Sequence, residues 1–472
     1  MDTKKLRQKI LDLAIHGKLV LQDPNDEPAS VLLERIKAEK ELLIKEGKIK
    51  RSKKTAKTSD TPHYENVPFE VPDGWKSVPV SELFCLNPKS EITADTSVGF
   101  IPMACVNDGF SGNHQFEKRI WKEVKKGYCH FQNGDIGIAK ISPCFENLKS
   151  TIFQNLPNNY GAGTTELVIL RPLNIHAKFY LYLFKSQWYI SEGTKYFKGV
   201  VGQQRVHKGI FTDLQIPLPP LTEQYRIVAE IEKWFALIDQ IEQGKADLQT
   251  AIKQTKSKIL DLAIHGKLVP QDPNDESAIE LLKRIHPDFI PCDNGHSEKL
   301  PQNWTWAKGI NIFLPMKSTK PKDEEFQYID IDSIDNKRQI INGIKTLKTS
   351  KAPSRASRYT QKNDVIFSMV RPYLRNIAKV IDDNCIASTG FYVCSPTPKL
   401  LNSDYCYYLM ISEYVVDGLN QFMKGDNSPS ISKGHIDEWL FPLPPFAEQQ
   451  RIVQKIEALF SVLDNIQNAL EV

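Results

Sequence analysis

Between residues 222 and 264, apolar side chains recur by alternating steps of four and three. Ile227, Ile231, Trp234, Ile238, Ile241, Lys245, Leu248, Ile252, Thr255, Ile259 and Leu262 fall on one line, and nine of these eleven are apolar. That is the spacing of an a/d helix seam. No proline interrupts the stretch, and its one glycine is Gly244. Thr222 is placed to cap the helix start, with Glu223 just inside, where a carboxylate complements free N–H groups. His265 then Gly266 suits the other end, a side chain near the last carbonyls and a residue free to turn left-handed. The forty-three residues predict a rod of about 65 Å, at a rise of about 1.5 Å each. A rod with one narrow apolar stripe needs a partner helix. Two ordinary helices broken at Gly244 are the alternative.

Other patterns are shorter. Leu6, Ile10 and Leu13 give residues 3–16 one apolar face, closed by Gly17. Residues 22–26 are turn chemistry, and a second helix starts near Pro28, with Leu32, Ile36 and Leu43, and fades at Gly47. Residues 137–141 and 166–170 read as strands, and 176–191 as a helix carrying Phe179, Leu183 and Tyr189. Gly161-Ala162-Gly163 reads as a turn.

Two internal repeats organise these elements. Residues 9–36 match 258–285 at 23 of 28 positions. EQYRIVAEIEKWFALIDQI, after Pro217-Leu218-Pro219-Pro220, is answered by EQQRIVQKIEALFSVLDNI after Pro442-Leu443-Pro444-Pro445. The first half of the central helix therefore recurs at the C-terminus (446–472) and its second half at the N-terminus (4–16). These two end segments are expected to form the antiparallel partner. The offsets are 249 and 225; they differ by 24, the length of residues 37–60, which the second half lacks. Between the helices the frames also correspond. Residues 71–75 match 300–304, 134–138 match 363–367, and 163–169 match 387–393, while the residues inside differ almost everywhere. The predicted fold class is α+β: two globular α/β segments separated by long antiparallel coiled-coil helices, pseudo-two-fold, with a circularly permuted repeat. The expected domains are helices and a basic linker (1–60), a globular segment (61–221), a central helical region (222–296), a second globular segment (297–445) and a C-terminal helix (446–472).

Composition adds limits. The net charge of +4 does not by itself demand a polyanion, but residues 45–57 carry seven basic residues and one acid. Such a run is a solvated linker or a non-specific phosphate contact. No window approaches the roughly 18 apolar residues of a membrane span, and the N-terminus lacks a signal-peptide core, so no membrane association and a cytoplasmic location are expected. The eight cysteines form no C-x-x-C pair and read as reduced, mostly buried thiols. There is no phosphate-binding loop and no Asn-Pro-Pro-aromatic motif of amino-methyltransferases. Pro72-Asp73 with Glu123-Val124-Lys125 is too loose to read as a nuclease centre. His16 and His265 are explained by helix ends, without a metal.

What remains is recognition. The first globular segment carries Lys140, Ser142, Asn147, Lys149, Thr164, Thr165, Gln203, Gln204 and Arg205 in loop-like stretches. The second carries Arg371, Tyr373, Arg375, Asn376, Ser388, Thr389, Lys424, Asn427 and Ser430. Arg and Lys suit guanine edges and phosphates, Asn and Gln suit adenine. A solvated loop position is the plain alternative for each one.

KILDLAIHGKLVPQDPNDE, PLPPLTEQYRIV, AKISPCFEN and FSMVRPYLRN resemble the specificity subunits of type I restriction-modification systems, and the resemblance covers essentially the whole chain. It implies two target-recognition domains, each reading one half of a bipartite site on double-stranded DNA. It also implies helical regions that act as spacer and docking scaffold for modification (methyltransferase) subunits, which restriction (ATP-dependent translocase/nuclease) subunits then join. No catalytic residue, cofactor or metal is implied for this chain; S-adenosylmethionine, ATP and Mg belong to the partners. No base-contacting residue transfers, because recognition domains vary between members. A coiled-coil scaffold that binds only protein would show the same helices without needing two unlike polar faces. A self-contained modification enzyme would need the missing methyltransferase motifs. A modification system without restriction would look the same in this chain.

Overall fold

The computed structural model describes residues 2–49, 69–199, 204–291 and 299–471. The basic run from residue 50 onward and the candidate Gln203 lie outside them. Contacts divide the chain into two units, Asp2–Gly244 and Lys245–Val472. Among the described residues no helix is long and apolar enough to cross a membrane, and the seven described cysteines are free thiols.

Leu221–Ile264 is one helix of 44 residues, so the reading with a break at Gly244 is set aside. Thr222 is not its cap. The helix begins one residue earlier, and the Thr222 hydroxyl donates to Asp26 instead. The far end is as expected. Gly266 has φ +66°, and a Cβ there would lie 2.3 Å from Cγ of Pro301, so conformation and space both demand glycine. Gly17 repeats this at φ +65°, 2.4 Å from Pro72.

In the N-terminal unit, Thr3–Ile15 runs antiparallel to the first half of the long helix. Arg7 reaches Asp239 and Glu242, while Asp26, beyond the helix end, pairs with Arg226. In the C-terminal unit, Phe446–Glu471 runs antiparallel to the second half of the long helix. Lys256 pairs with Asp464, and Asp275 with Arg451. The two repeat offsets map one set of pairs onto the other. The same holds deeper in. Trp75 Nε1 donates to Glu223 (2.9 Å) and Trp304 Nε1 to Glu448 (3.0 Å), while Gln22 and Gln271 hold the second oxygen of each carboxylate at 3.0 Å. Burial pushes the Glu448 carboxyl up, opposed by the Gln271 and Trp304 hydrogen bonds.

The a/d reading of the long helix needs correction. Ile227, Ile231, Ile238, Ile252 and Ile259 are buried and Leu262 is partly buried, but Trp234, Ile241 and Leu248 are 42 %, 48 % and 40 % exposed. In the N-terminal unit the buried line is Ile227, Val228, Ile231, Phe235 and Ile238. This broader stripe faces a globular core as well as the short helix Thr3–Ile15. Each fully buried isoleucine contributes roughly 1.5–3 kcal/mol.

Among the described residues each unit holds two four-stranded sheets. In the N-terminal unit one has the order Phe84–Leu86, Leu167–Pro172, Ile136–Ala139, Ser150–Ile152, antiparallel throughout. The other has the order Glu117–Ile120, Ser97–Ile101, Tyr160–Gly163, Cys129–Gln132, with its middle pair parallel. The C-terminal unit repeats both orders, with Phe313–Leu314, Phe391–Pro396, Val365–Ser368, Ile377–Lys379 and with Lys345–Lys348, Glu325–Ile329, Cys385–Ser388, Ala356–Thr360. Gly161-Ala162-Gly163, read as a turn, is therefore a strand. Its glycines are there for packing, since a Cβ at Gly161 would lie 2.2 Å from the Phe131 ring and one at Gly163 2.5 Å from the Ile101 carbonyl. The helix expected over 176–191 is two helices, Ala177–Lys185 and Gln187–Thr194. Ser186 is extended between them and caps the second through Tyr189 N–H.

Arg7 joins α-helical and globular parts of its unit. Its side chain is 10 % exposed and donates to Glu242 at 2.9 and 3.0 Å and to Asp239, lying 5.9 and 5.8 Å from the Phe110 and Phe235 ring centres. The hydrogen bond from Arg7, with a second from Thr3, holds the Glu242 carboxyl down to about 2. Its folded value is depressed, so its contribution is present above the ordinary value of 4.5 and is lost as pH falls toward 2. Arg7→Met keeps the apolar stem and removes the charge. It should cost about 1 kcal/mol near neutral pH, because the carboxylates are partly solvated. Denaturant unfolding of the full chain should show that difference vanishing between about pH 4.5 and about pH 2. A pH-independent difference would assign the effect to packing alone.

Candidate nucleic-acid interface

In each unit one edge is built where three backbone segments cross. In the N-terminal unit the loop after Ile136–Ala139 meets the 164–166 turn and the 204–206 segment. Lys140 N–H donates to Glu166 O (2.9 Å), Val206 N–H to Lys140 O (2.9 Å) and Ser142 N–H to Gln204 O (2.8 Å). Arg205 also pairs with Lys198 through both backbone groups, at 2.8 and 3.0 Å. Lys140, Ser142, Thr164, Thr165, Gln204 and Arg205 are thus brought together on this edge. Asn147 is exposed on the same loop, and its carbonyl accepts from Gly109 N–H at 2.9 Å. Lys149 is turned inward, its ammonium donating to Val106 O (2.9 Å) and Met103 O (3.3 Å).

The C-terminal unit makes the same crossing. Met369 N–H donates to Gly390 O (2.8 Å), Ile431 N–H to Met369 O (2.9 Å) and Arg371 N–H to Pro429 O (2.8 Å), and Lys424 pairs with Ser430 at 3.0 Å in both directions. Arg371, Tyr373, Thr389, Lys424, Asn427 and Ser430 gather there. The Arg371 guanidinium donates to Asn427 O at 2.7 Å. Asn376 and Ser388 are buried. Ser388 Oγ accepts from Gly390 N–H, and Arg375 donates to Ile411 O at 2.9 Å. As placed, Ser388, Arg375 and Lys149 hold the edges in shape, and the Asn376 side chain is buried. Arg371 and Arg375 flank the turn Pro372–Leu374 at φ +47° and +56°. Left-handed backbone at two non-glycine residues is strained, and such strain gathers at functional sites.

Two carboxylates missing from the sequence-based set sit on the N-terminal edge. Glu146 accepts from Ser142 Oγ at 2.7 Å. Glu166 accepts from Arg205 Nε and Nη2 at 3.1 and 2.7 Å, and the guanidinium holds its carboxyl below the usual range. The signal that could have found Glu166 is its repeat position, where the second half has Gly390. Below this edge Lys185 is buried, donating to Gly109 O and Leu148 O at 2.7 Å each, and burial pushes its ammonium down to about 7.

Comparison with known proteins agrees with this architecture. The family described as type I restriction modification DNA specificity domain matches residues 72–250 and 311–472. The EcoAI type I restriction enzyme specificity subunit of Escherichia coli is 34 % identical, over 98 % of this chain and 90 % of that one. The EcoEI specificity subunit of the same organism is 33 % identical, over 99 % and 91 %. Two solved structures share the fold. One is the HsdS subunit from Thermoanaerobacter tengcongensis, with TM-score 0.54 and 17 % identity over 86 % of this chain and 92 % of that one. The other comes from work on complex assembly and conformational transition of the type I R-M system, with TM-score 0.59 and 18 % identity over 86 % and 96 %. With a family match across both units and relatives aligned along nearly its whole length, the chain belongs to the specificity subunits of type I restriction-modification systems.

Proposed function

We propose that each unit reads one half of a bipartite site on double-stranded DNA, and that the helical regions serve as spacer and as docking scaffold for modification subunits. Restriction subunits join through that assembly. Methyl transfer and ATP-driven cleavage belong to these partners, together with S-adenosylmethionine, ATP and Mg; this chain supplies recognition and no catalytic group. The observation that carries the reading is the repeated crossing. One backbone frame, matched bond for bond, presents Glu166 and Arg205 in one unit and Gly390, Ser430 and Arg371 in the other. A duplicated frame with unlike side chains is what two different half-sites require. A scaffold that binds only protein has no need of it.

Few cations stand free on either edge, so the chain alone should bind DNA weakly and with steep salt dependence. Competition binding of the purified chain, alone and with modification subunits, tests this. The assembly should prefer its site over random duplex by about a thousandfold or more, in the range of specific DNA-binding proteins, and the chain alone by far less. Equal discrimination by both would contradict the docking role.

A further inference from the structure

We infer that Arg205 and Glu166 form one base-reading device: Arg205 contacts a guanine, and Glu166 is the positioning residue that fixes its orientation. This rests on the reading of the N-terminal edge as a DNA-contacting surface. The arginine side chain has five N–H donors in a planar fork. Glu166 takes Nε–H and one Nη2–H, at 3.1 and 2.7 Å. The second Nη2–H and both Nη1–H groups remain, and the two at the far end point parallel. That spacing matches the O6 and N7 acceptors on the major-groove edge of guanine.

Both ends of the pair are anchored through backbone. Glu166 is held by Lys140 N–H on its carbonyl and by Thr164 Oγ1 on its own N–H (3.2 Å), and Arg205 by its double pairing with Lys198. The Arg205 side chain is 51 % exposed and that of Glu166 25 %, so the guanidinium is presented outward with the carboxylate behind it. A phosphate could also accept from that end, but the charges argue for a base. The pair is neutral in sum, and a carboxylate this close repels a phosphate, while a guanine edge offers two acceptors and no net charge. The corresponding positions of the C-terminal unit, Gly390 and Ser430, carry no such pair. There the guanidinium comes from Arg371, on another strand of the crossing and held by a carbonyl. The two units therefore read guanine, where they read it, from different places in the same frame.

The test is competition binding of the chain with its modification subunits against duplexes carrying each base pair at each position of the site. Arg205→Lys should reduce the preference for guanine at one position of one half-site by about tenfold or more. Glu166→Gln should reduce it at the same position by a smaller factor, and should add nothing in the Arg205→Lys background, because it acts through Arg205. Thermal unfolding of both variants should stay within a degree or two of the parent, since an exposed ion pair adds little stability. An evenly weakened site with a shallower salt slope would make Arg205 a phosphate contact, and an unchanged site would make the pair a plain surface ion pair. Either result overturns the proposal. If the unaltered assembly shows no bipartite site at all, the underlying functional reading fails instead.

Discussion

Replacing Gln449 by leucine should cost the C-terminal unit about 3–5 kcal/mol, at the upper end for one substitution. The side chain is fully buried. Its Oε1 accepts from Asn402 N–H at 2.7 Å, and its Nε2 donates to Leu400 O and Pro444 O at 2.9 and 3.0 Å. It thereby ties the first turn of Phe446–Glu471 to the cap of Ser403–Ile411 and to the chain leaving the strand Leu440–Leu443. Leucine fills similar space and leaves three backbone groups without partners where water does not reach, each costing about 1–3 kcal/mol. Gln224 is the matching residue of the N-terminal unit, bonded to His176 N–H and Pro219 O at 2.9 Å each. Gln224→Leu orphans two groups and should cost less. Hydrogen exchange on the full chain would localise each loss to its own unit. A cost under about 1 kcal/mol at Gln449 would show that the site relaxes or admits water.

These pairs were legible in the sequence in an unusual way. The crossed repeats predict that any contact between the two repeated segments appears twice. Arg7 with Asp239 against Lys256 with Asp464 does so, as do Asp26 with Arg226 and Asp275 with Arg451. What failed was the assignment of the buried line. Both end segments pair with the long helix as the repeats predict, but in the N-terminal unit a globular core shares its apolar face and widens the buried stripe, with Trp234 and Ile241 left exposed; in the C-terminal unit Leu248 is exposed as well. The strand at 160–163 hid because its glycines answer to Phe131 and Ile101, residues far away in sequence.

The candidate interface was legible as two clusters but not side chain by side chain. Lys149 and Asn376 have the same chemistry as a DNA-reading lysine or asparagine, yet the fold ties Lys149 to buried carbonyls and buries Asn376. Glu166 was missed for the opposite reason. An acid beside a polyanion looks unfavourable until its cation partner is known, and Arg205 lies 39 residues away.

The largest effect on function should come from disabling one edge at a time. Gln204→Ala with Arg205→Ala strips the N-terminal edge, and Arg371→Ala with Lys424→Ala strips the C-terminal one. All four residues are at least partly exposed, so both variants should fold. Each bidentate base contact is worth about 1–3 kcal/mol of discrimination. Losing two polar readers should therefore lower modification of the original site by tenfold or more. The proposed function requires that the two units read separately. The measurement that tests it most directly is the genome-wide methylation map of strains carrying the parent chain and each double variant. The parent should methylate a bipartite site. The Gln204/Arg205 variant should alter or lose one half-site, and the Arg371/Lys424 variant only the other. A map in which either variant degrades both half-sites equally would contradict the account.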